Sequence, residues 1–146
     1  MIKEIAHEIA VSKAKKIYVC NIMTQPGETD GYSVSDHINA LVTHAGSKKI
    51  IDAVLVNDFM PSNLAQKYQL SGSYPVKIDV ENIRKMGFSI FSRKLIEDSK
   101  EGLVRHSSNR VARAGLEKNK KAKKLSHLQS WLKNKVAQYN GKKNYS

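Results

Sequence analysis

An α/β fold with a mainly parallel sheet is what the sequence predicts, on three observations. Short apolar runs rich in β-branched and aromatic residues recur at Ile17–Cys20, Ile50–Val56 and Pro75–Asp79. Segments with helical periodicity stand between them, and this alternation indicates strand–helix–strand units. The 146 residues suffice for one buried core, with 40% hydrophobic and 26% charged residues and a single cysteine. These figures argue against wholesale disorder, an internal disulfide framework and a multi-cysteine zinc site. No run approaches the roughly 18–20 apolar residues of a membrane span. The start Met-Ile-Lys-Glu-Ile lacks the form of a secretory signal. The chain therefore reads as a soluble cytosolic protein.

Taken in order, Ile2, Ile5, Ala6, Ile9 and Ala10 mark one apolar face of a first helix. It has no Ser, Thr, Asp or Asn cap, so the chain reads as starting inside an element. Ile17–Cys20 reads as a buried strand. It runs into Asn21–Gly31, a loop with Pro26, Gly27 and Gly31. Ser33 or Ser35 caps the next helix, which carries Ile38, Leu41, Val42 and Ala45 and ends at Gly46. Ile50–Val56 is the second strand. Pro61 and Ser62 open a short helix with Leu64, Ala65 and Tyr68, and Pro75–Asp79 is the third strand. Val80–Met86 is a helical turn stopped by Gly87. Phe88–Phe91 is apolar, Leu103-Val104 follows a polar gap, and Val111, Ala114 and Leu116 begin a last helix of the domain.

The net charge of +12 is unevenly spread. Residues 1–104 hold 13 Lys and Arg against 12 Asp and Glu, whereas residues 105–146 hold 12 against Glu117 alone. Charge arguments therefore concern the tail. Leu125, Leu128, Leu132 and Val136 recur there at helical spacing beside Trp131, which gives a basic amphipathic helix that frays from Asn140. Three roles fit it. Lys118, Lys120, Lys121, Lys123 and Lys124 could contact nucleic-acid phosphates, the stretch around Trp131 could lie on a membrane surface, or the helix simply docks through Leu128 and Leu132.

The loop Asn21–Gly31 is where an open α/β sheet would place a ligand, between a strand and the helix after it. The helix N-terminus that follows would offer backbone N–H groups to a phosphate. Thr24, Gln25 and Thr29 are neutral donors for a diphosphate or for sugar hydroxyls. Glu28 and Asp30 suit Mg²⁺ or ribose and sugar hydroxyls better than a bare phosphate. The same composition also suits a polar surface turn. Arg105, beside His106, could grip a diphosphate or stack on a base, or form a surface ion pair. Tyr68 could stack on a base or fill a half-buried core position. His37 and His44, seven apart, lack the spacing of a metal pair. Cys20 reads as a packing residue. No Gly-rich phosphate loop is present, no metal site is indicated, and catalytic residues cannot be named from the pattern.

The run Tyr18-Val19-Cys20-Asn21-Ile22-Met23-Thr24-Gln25-Pro26-Gly27-Glu28-Thr29-Asp30-Gly31-Tyr32, with Ser35-Asp36-His37-Ile38, closely resembles the signature of the YvcK or CofD-like family, the gluconeogenesis factors. Weaker matches follow in family order at Ile51–Val56, Lys67-Tyr68, Ser73–Asp79, Met86-Gly87 and Val104-Arg105-His106, so the resemblance spans residues 2–116. It implies a Rossmann-like three-layer α/β fold and a cytoplasmic bacterial protein. It further implies binding of UDP-N-acetylglucosamine or a related nucleotide sugar, in support of cell-wall synthesis, cell shape and gluconeogenic growth. A relationship to 2-phospho-L-lactate transferase implies the alternative of a transferase with a nucleotide-diphosphate donor, possible Mg²⁺ included. The resemblance places Asn21, Thr24, Gln25, Thr29 and Asp30 along the nucleotide-sugar cleft, with Tyr68 and Arg105 at its uridine end. The family's Gly-rich nucleotide loop has no counterpart here. The expectation is therefore a C-terminal half over residues 1–116 and a basic tail over 117–146, with a separately encoded N-terminal half or a second copy as partner.

Overall fold

The computed structural model describes residues 2–96, 104–118 and 120. Its frame is a three-stranded parallel sheet in the order β1-β2-β3, with β1 at Ile17–Val19, β2 at Ala53–Asn57 and β3 at Ser89–Arg93. Helices α1 (Lys3–Val11), α2 (Val34–Ala45), α3 (Ser62–Gln69) and α4 (Val80–Lys85) connect or flank the strands. This is the α/β arrangement with a parallel sheet that the alternating pattern predicts, and it is Rossmann-like, as the resemblance implies. Residues 1–111 form one compact unit. A helix runs over 108–118, and of the second unit only 112–118 and 120 are described, all helical. Leu103 and the apolar tail positions Leu125–Val136 lie outside the described residues.

Strand β2 is central and is buried on both faces, with Ala53, Val54, Leu55 and Val56 at 2% exposure or less. An unbroken apolar run is what a central parallel strand requires. Val54 and Val56 share a core with Ile38 of α2, Ile83 of α4 and Cys20, Ile51, Val76 and Phe88. Register is set at the strand starts, where the Lys16 amide donates to Asp52 Oδ2 at 2.8 Å and the Asp52 amide donates to the Lys16 carbonyl at 2.8 Å. Helix α1 turns Ala6 and Ala10 inward, while Ile2, Ile5 and Ile9 of the predicted apolar face are exposed.

The local signals around α2 hold in detail. Ser33, not Ser35, is the N-cap, in a capping box with Asp36, and Gly46 ends the helix in the left-handed region at φ +66°. The chain departs from the predicted elements in three places. Ile50 belongs to a 3₁₀ turn (Lys48–Ile50) capped by the Ser47 hydroxyl, so β2 starts only at Ala53. Pro75–Asp79 is not a strand of the sheet. Its backbone groups bond the loop after β1 instead: the Val76 amide to the Ile22 carbonyl at 2.9 Å, and the Lys77 carbonyl to the Val34 amide at 3.0 Å. The third strand is β3, which grows from the apolar Phe88–Phe91. Arg105-His106 does not end a strand either, since His106 makes only an isolated antiparallel bridge to Ile96.

Among the described residues no helix is long and apolar enough to cross a membrane.

Candidate functional site

Three segments leave the carboxyl ends of the three parallel strands and meet. Asn21-Ile22-Met23 follows β1, and α3 with Tyr68 follows β2. The segment 104–106 returns to the chain leaving β3 through the Ile96–His106 bridge. Together Asn21, Ile22, Met23, Tyr68, Val104, Arg105 and His106 line a cleft of about 300 Å³. This is where open α/β sheets bind ligands, because the connecting loops splay apart there.

Hydrogen bonds to neighbouring backbone fix the walls. The Val104 amide donates to the Tyr68 hydroxyl at 2.8 Å. The Ser107 amide donates to the Leu95 carbonyl at 2.7 Å, and the Leu95 amide donates to Asn57 Oδ1 at 2.9 Å, at the end of β2. Arg110 Nη1 donates to the Ile96 carbonyl at 2.6 Å. Arg105 is thus carried on a pinned segment with its side chain exposed, and among the described residues it forms no ion pair. An arginine so placed has its full fork of donors available for a phosphate or carbonyl. Tyr68 is half-buried, with its hydroxyl engaged as an acceptor.

The structure brings Asn21, Tyr68 and Arg105 together and leaves Thr24, Gln25, Thr29 and Asp30 out of the cleft lining. Thr24 is buried, with its Oγ1 accepting from the Tyr74 amide at 2.9 Å. The Thr29 hydroxyl accepts from the Gln25 amide at 2.8 Å, and Asp30 Oδ2 accepts from the Gly27 amide at 2.7 Å. These side chains close the loop on itself, and Gly27 at φ +79° allows the turn. Glu28 and Gln25 are exposed. No group of three or more His, Cys, Asp or Glu converges as a metal site among the described residues.

The N-terminus of α2 is not the phosphate site that its position suggests. Its first amides are all taken: Val34 by the Lys77 carbonyl, Ser35 by Asp79 Oδ1 at 3.0 Å, and Asp36 by the Ser33 hydroxyl at 3.3 Å. The Asp36 and Asp79 carboxylates also stand there and would repel an anion. Burial pulls the Asp79 carboxyl upward, but hydrogen bonds from the Ser35 hydroxyl and amide and from Asn82 overcome it and hold the group below the usual range. Asp36 is lowered by the Ser33 hydroxyl and amide.

His37, His106 and Cys20 respond mainly to burial. The Cys20 thiol is pushed up to about 11, chiefly by burial, which makes it a packing residue at neutral pH. Burial lowers His37, against the pull of Asp36, and its ring stands edge-on to Tyr32 at 5.3 Å. Burial also lowers His106, with the Cys20 carbonyl opposing in part. Ile22 and Met23 lie within the loop that the sequence marked for ligand, whereas Val104 and His106 were not assigned to the site. The adjacency of Val104 and His106 to Arg105 was the available signal.

A larger groove of about 780 Å³ lies between α1 and the end of α2, with Lys3, His7, His44 and Lys49 on its walls. It shares no lining residue with the cleft at the strand ends.

Comparison with known proteins agrees with this architecture. The sequence family described as 2-phospho-L-lactate transferase CofD matches residues 1–96. Proteins whose names carry gluconeogenesis factor align with it. The one from Clostridium acetobutylicum is 45% identical over 114 residues, covering 77% of this chain and 25% of its own length. The one from Bacillus subtilis is 38% identical over 113 residues, covering 77% and 35%. The crystal structure of a UPF0052-family protein from Bacillus halodurans superposes with a TM-score of 0.71 at 34% identity, covering 75% of this chain and 35% of that one. The chain thus spans about a quarter to a third of the length of the curated relatives it matches.

Proposed function

The chain belongs to the CofD-like family that includes the gluconeogenesis factors, and from that premise and the cleft geometry we propose that it binds a nucleotide sugar of the UDP-N-acetylglucosamine type. One observation carries this reading. Asn21, Tyr68 and Arg105, distant in sequence, meet in one cleft at the carboxyl ends of three parallel strands. Tyr68 offers an aromatic edge to a base, Asn21 a paired donor and acceptor, and Arg105 a cation for the diphosphate. A volume of about 300 Å³ lies at the small end of ligand pockets, which suits the nucleoside while the sugar extends over exposed Arg105. Thr24, Thr29 and Asp30 act by shaping the loop that carries Asn21, and exposed Gln25 is the loop residue available to the sugar.

In this reading the chain is a cytoplasmic regulatory module linking nucleotide-sugar supply to cell-wall synthesis and carbon use. The exposed face of Ile2, Ile5 and Ile9 on α1 packs against further polypeptide of the family fold, supplied in a longer chain or by a partner. Titration calorimetry of the full chain with UDP-N-acetylglucosamine tests the proposal. Saturable binding that weakens at least about tenfold on Arg105→Glu, by reversal of the charge facing the diphosphate, is expected. Unchanged affinity in that variant would overturn it.

The family match by name to 2-phospho-L-lactate transferase favours one second reading, a transferase with a nucleotide-diphosphate donor. Substrate-dependent release of free nucleotide separates it from the binding module.

A further inference from the structure

The groove of about 780 Å³ between α1 and the end of α2 takes no part in the nucleotide reading. Its ionisable lining side chains are Lys3 and His7 of α1, His44 of α2, and Lys49, all of them basic. Glu4 and Glu8, the acidic residues of α1, stand outside the lining. Residues 1–104 are close to neutral, with 13 Lys and Arg against 12 Asp and Glu. The groove is therefore a local separation of charge and not a share of a general excess. Helix-end electrostatics account for only part of it. His44 lies in the last turn of α2, where a cation is favoured, but Lys3 opens α1, where the helix dipole disfavours one. Basic groups gathered in a concave site raise the local concentration of anions.

The groove has room for more than an ion. Its volume falls within the roughly 300–1,000 Å³ of small-molecule sites. Its apolar part includes short side chains, Ala6 at 2% exposure with half-buried Ala10 and Ala45, which leave space for a carbon skeleton. Two polar groups on its walls are fixed. His44 Nδ1 lies 2.7 Å from the Ala40 carbonyl, which can only accept, so the proton is on Nδ1 and Nε2 is the ring atom left for a ligand. The Ser47 hydroxyl accepts from the Lys49 amide at 3.1 Å and keeps its own proton to donate. We propose that this groove binds a small organic phosphate, such as a phosphorylated sugar, as an anion site separate from the cleft. Lys3 and Lys49 supply charge to the phosphate, the Ser47 hydroxyl donates to it, and His44 Nε2 accepts from a hydroxyl of the skeleton. The proposal stands apart from the nucleotide reading, because the two sites share no lining residue.

The test titrates the full chain with ribose 5-phosphate and follows backbone amide NMR signals, with ribose as the uncharged control. Signals of residues 3–11 and 43–49 are expected to shift saturably with ribose 5-phosphate and to stay in place with ribose. Lys3→Glu and Lys49→Glu change exposed side chains and should each weaken binding at least about tenfold, because attraction becomes repulsion. Lys77→Glu makes the same change of charge near the opposite end of α2, where Lys77 is exposed and bonds Val34 through its backbone; it should leave affinity within about twofold. Absence of saturable shifts, shifts confined to other segments, equal shifts with ribose, or an equal loss in Lys77→Glu would overturn the proposal. An oligothymidylate that displaces ribose 5-phosphate at a lower concentration of phosphate groups would overturn the small-molecule assignment in favour of a polyanion. None of these outcomes bears on binding of UDP-N-acetylglucosamine at the cleft, which is tested by its own variant.

Discussion

Replacing Tyr68 with Phe removes one oxygen and keeps the ring. That oxygen accepts the Val104 amide at 2.8 Å, and the segment it holds carries Arg105 and His106 into the cleft. A neutral hydrogen bond contributes roughly 0.5–1.5 kcal/mol net. Val104 is only half-buried, so water can reach its amide in part, and the middle of that range, about 1 kcal/mol, is expected. Local opening of 104–106 should become about fivefold more frequent, and affinity for UDP-N-acetylglucosamine should fall several-fold, since about 1.4 kcal/mol is a factor of ten. Urea denaturation reads the stability change as a midpoint lowered by about 0.5 M at unchanged slope, for a slope of roughly 2 kcal/mol/M. Amide hydrogen exchange at Val104 reads the local effect. An unchanged midpoint with unchanged exchange at Val104 would refute the reasoning. A loss beyond about 3 kcal/mol would show that more than one hydrogen bond was removed.

Further outcomes follow from the same contacts. Gly46→Ala should cost about 1–2 kcal/mol from the left-handed backbone alone, because nothing stands within 4 Å of an added Cβ; an unchanged melting temperature would contradict this. Leu55→Ala, at a position with 0% exposure, should cost about 2–5 kcal/mol by denaturant titration. His37 has a folded pKa below 6.5, so its stabilising effect is complete above about pH 6.5 and is lost as pH falls from there through the folded value. The slope of stability against pH in that window should therefore shrink in His37→Phe. Asp79 has a folded pKa below 3.8, so its contribution is present above that value and is lost as pH falls through the folded one. Asp79→Asn should flatten this acid limb and loosen the tie to Ser35.

What the sequence revealed was what neighbouring residues decide. Ser33, Asp36 and Gly46 set both ends of α2 through contacts within four residues, so α2 could be read directly. The turn at Asn21–Gly31 was likewise legible, because Thr29, Asp30 and Gly27 close it locally. Pro75–Asp79 and Phe88–Phe91 were both short apolar runs, and only long-range pairing made one a clamp on the loop and the other β3. The α2 N-terminus looked open to phosphate because the groups that close it include Lys77 and Asp79, more than 40 positions away. Asn21, Tyr68 and Arg105 were each read alone as ambiguous; resemblance grouped them and the sheet topology explains why they meet. His106 was read only as the neighbour of Arg105, because its burial is a property of tertiary packing, which no local pattern encodes.

The central claim is the place of binding. Hydrogen-exchange footprinting of the full chain with UDP-N-acetylglucosamine tests it most directly, read segment by segment. The account predicts ligand-dependent protection at 21–23, around Tyr68 and at 104–106. Protection at 33–36, in the groove between α1 and α2, or nowhere, would contradict it.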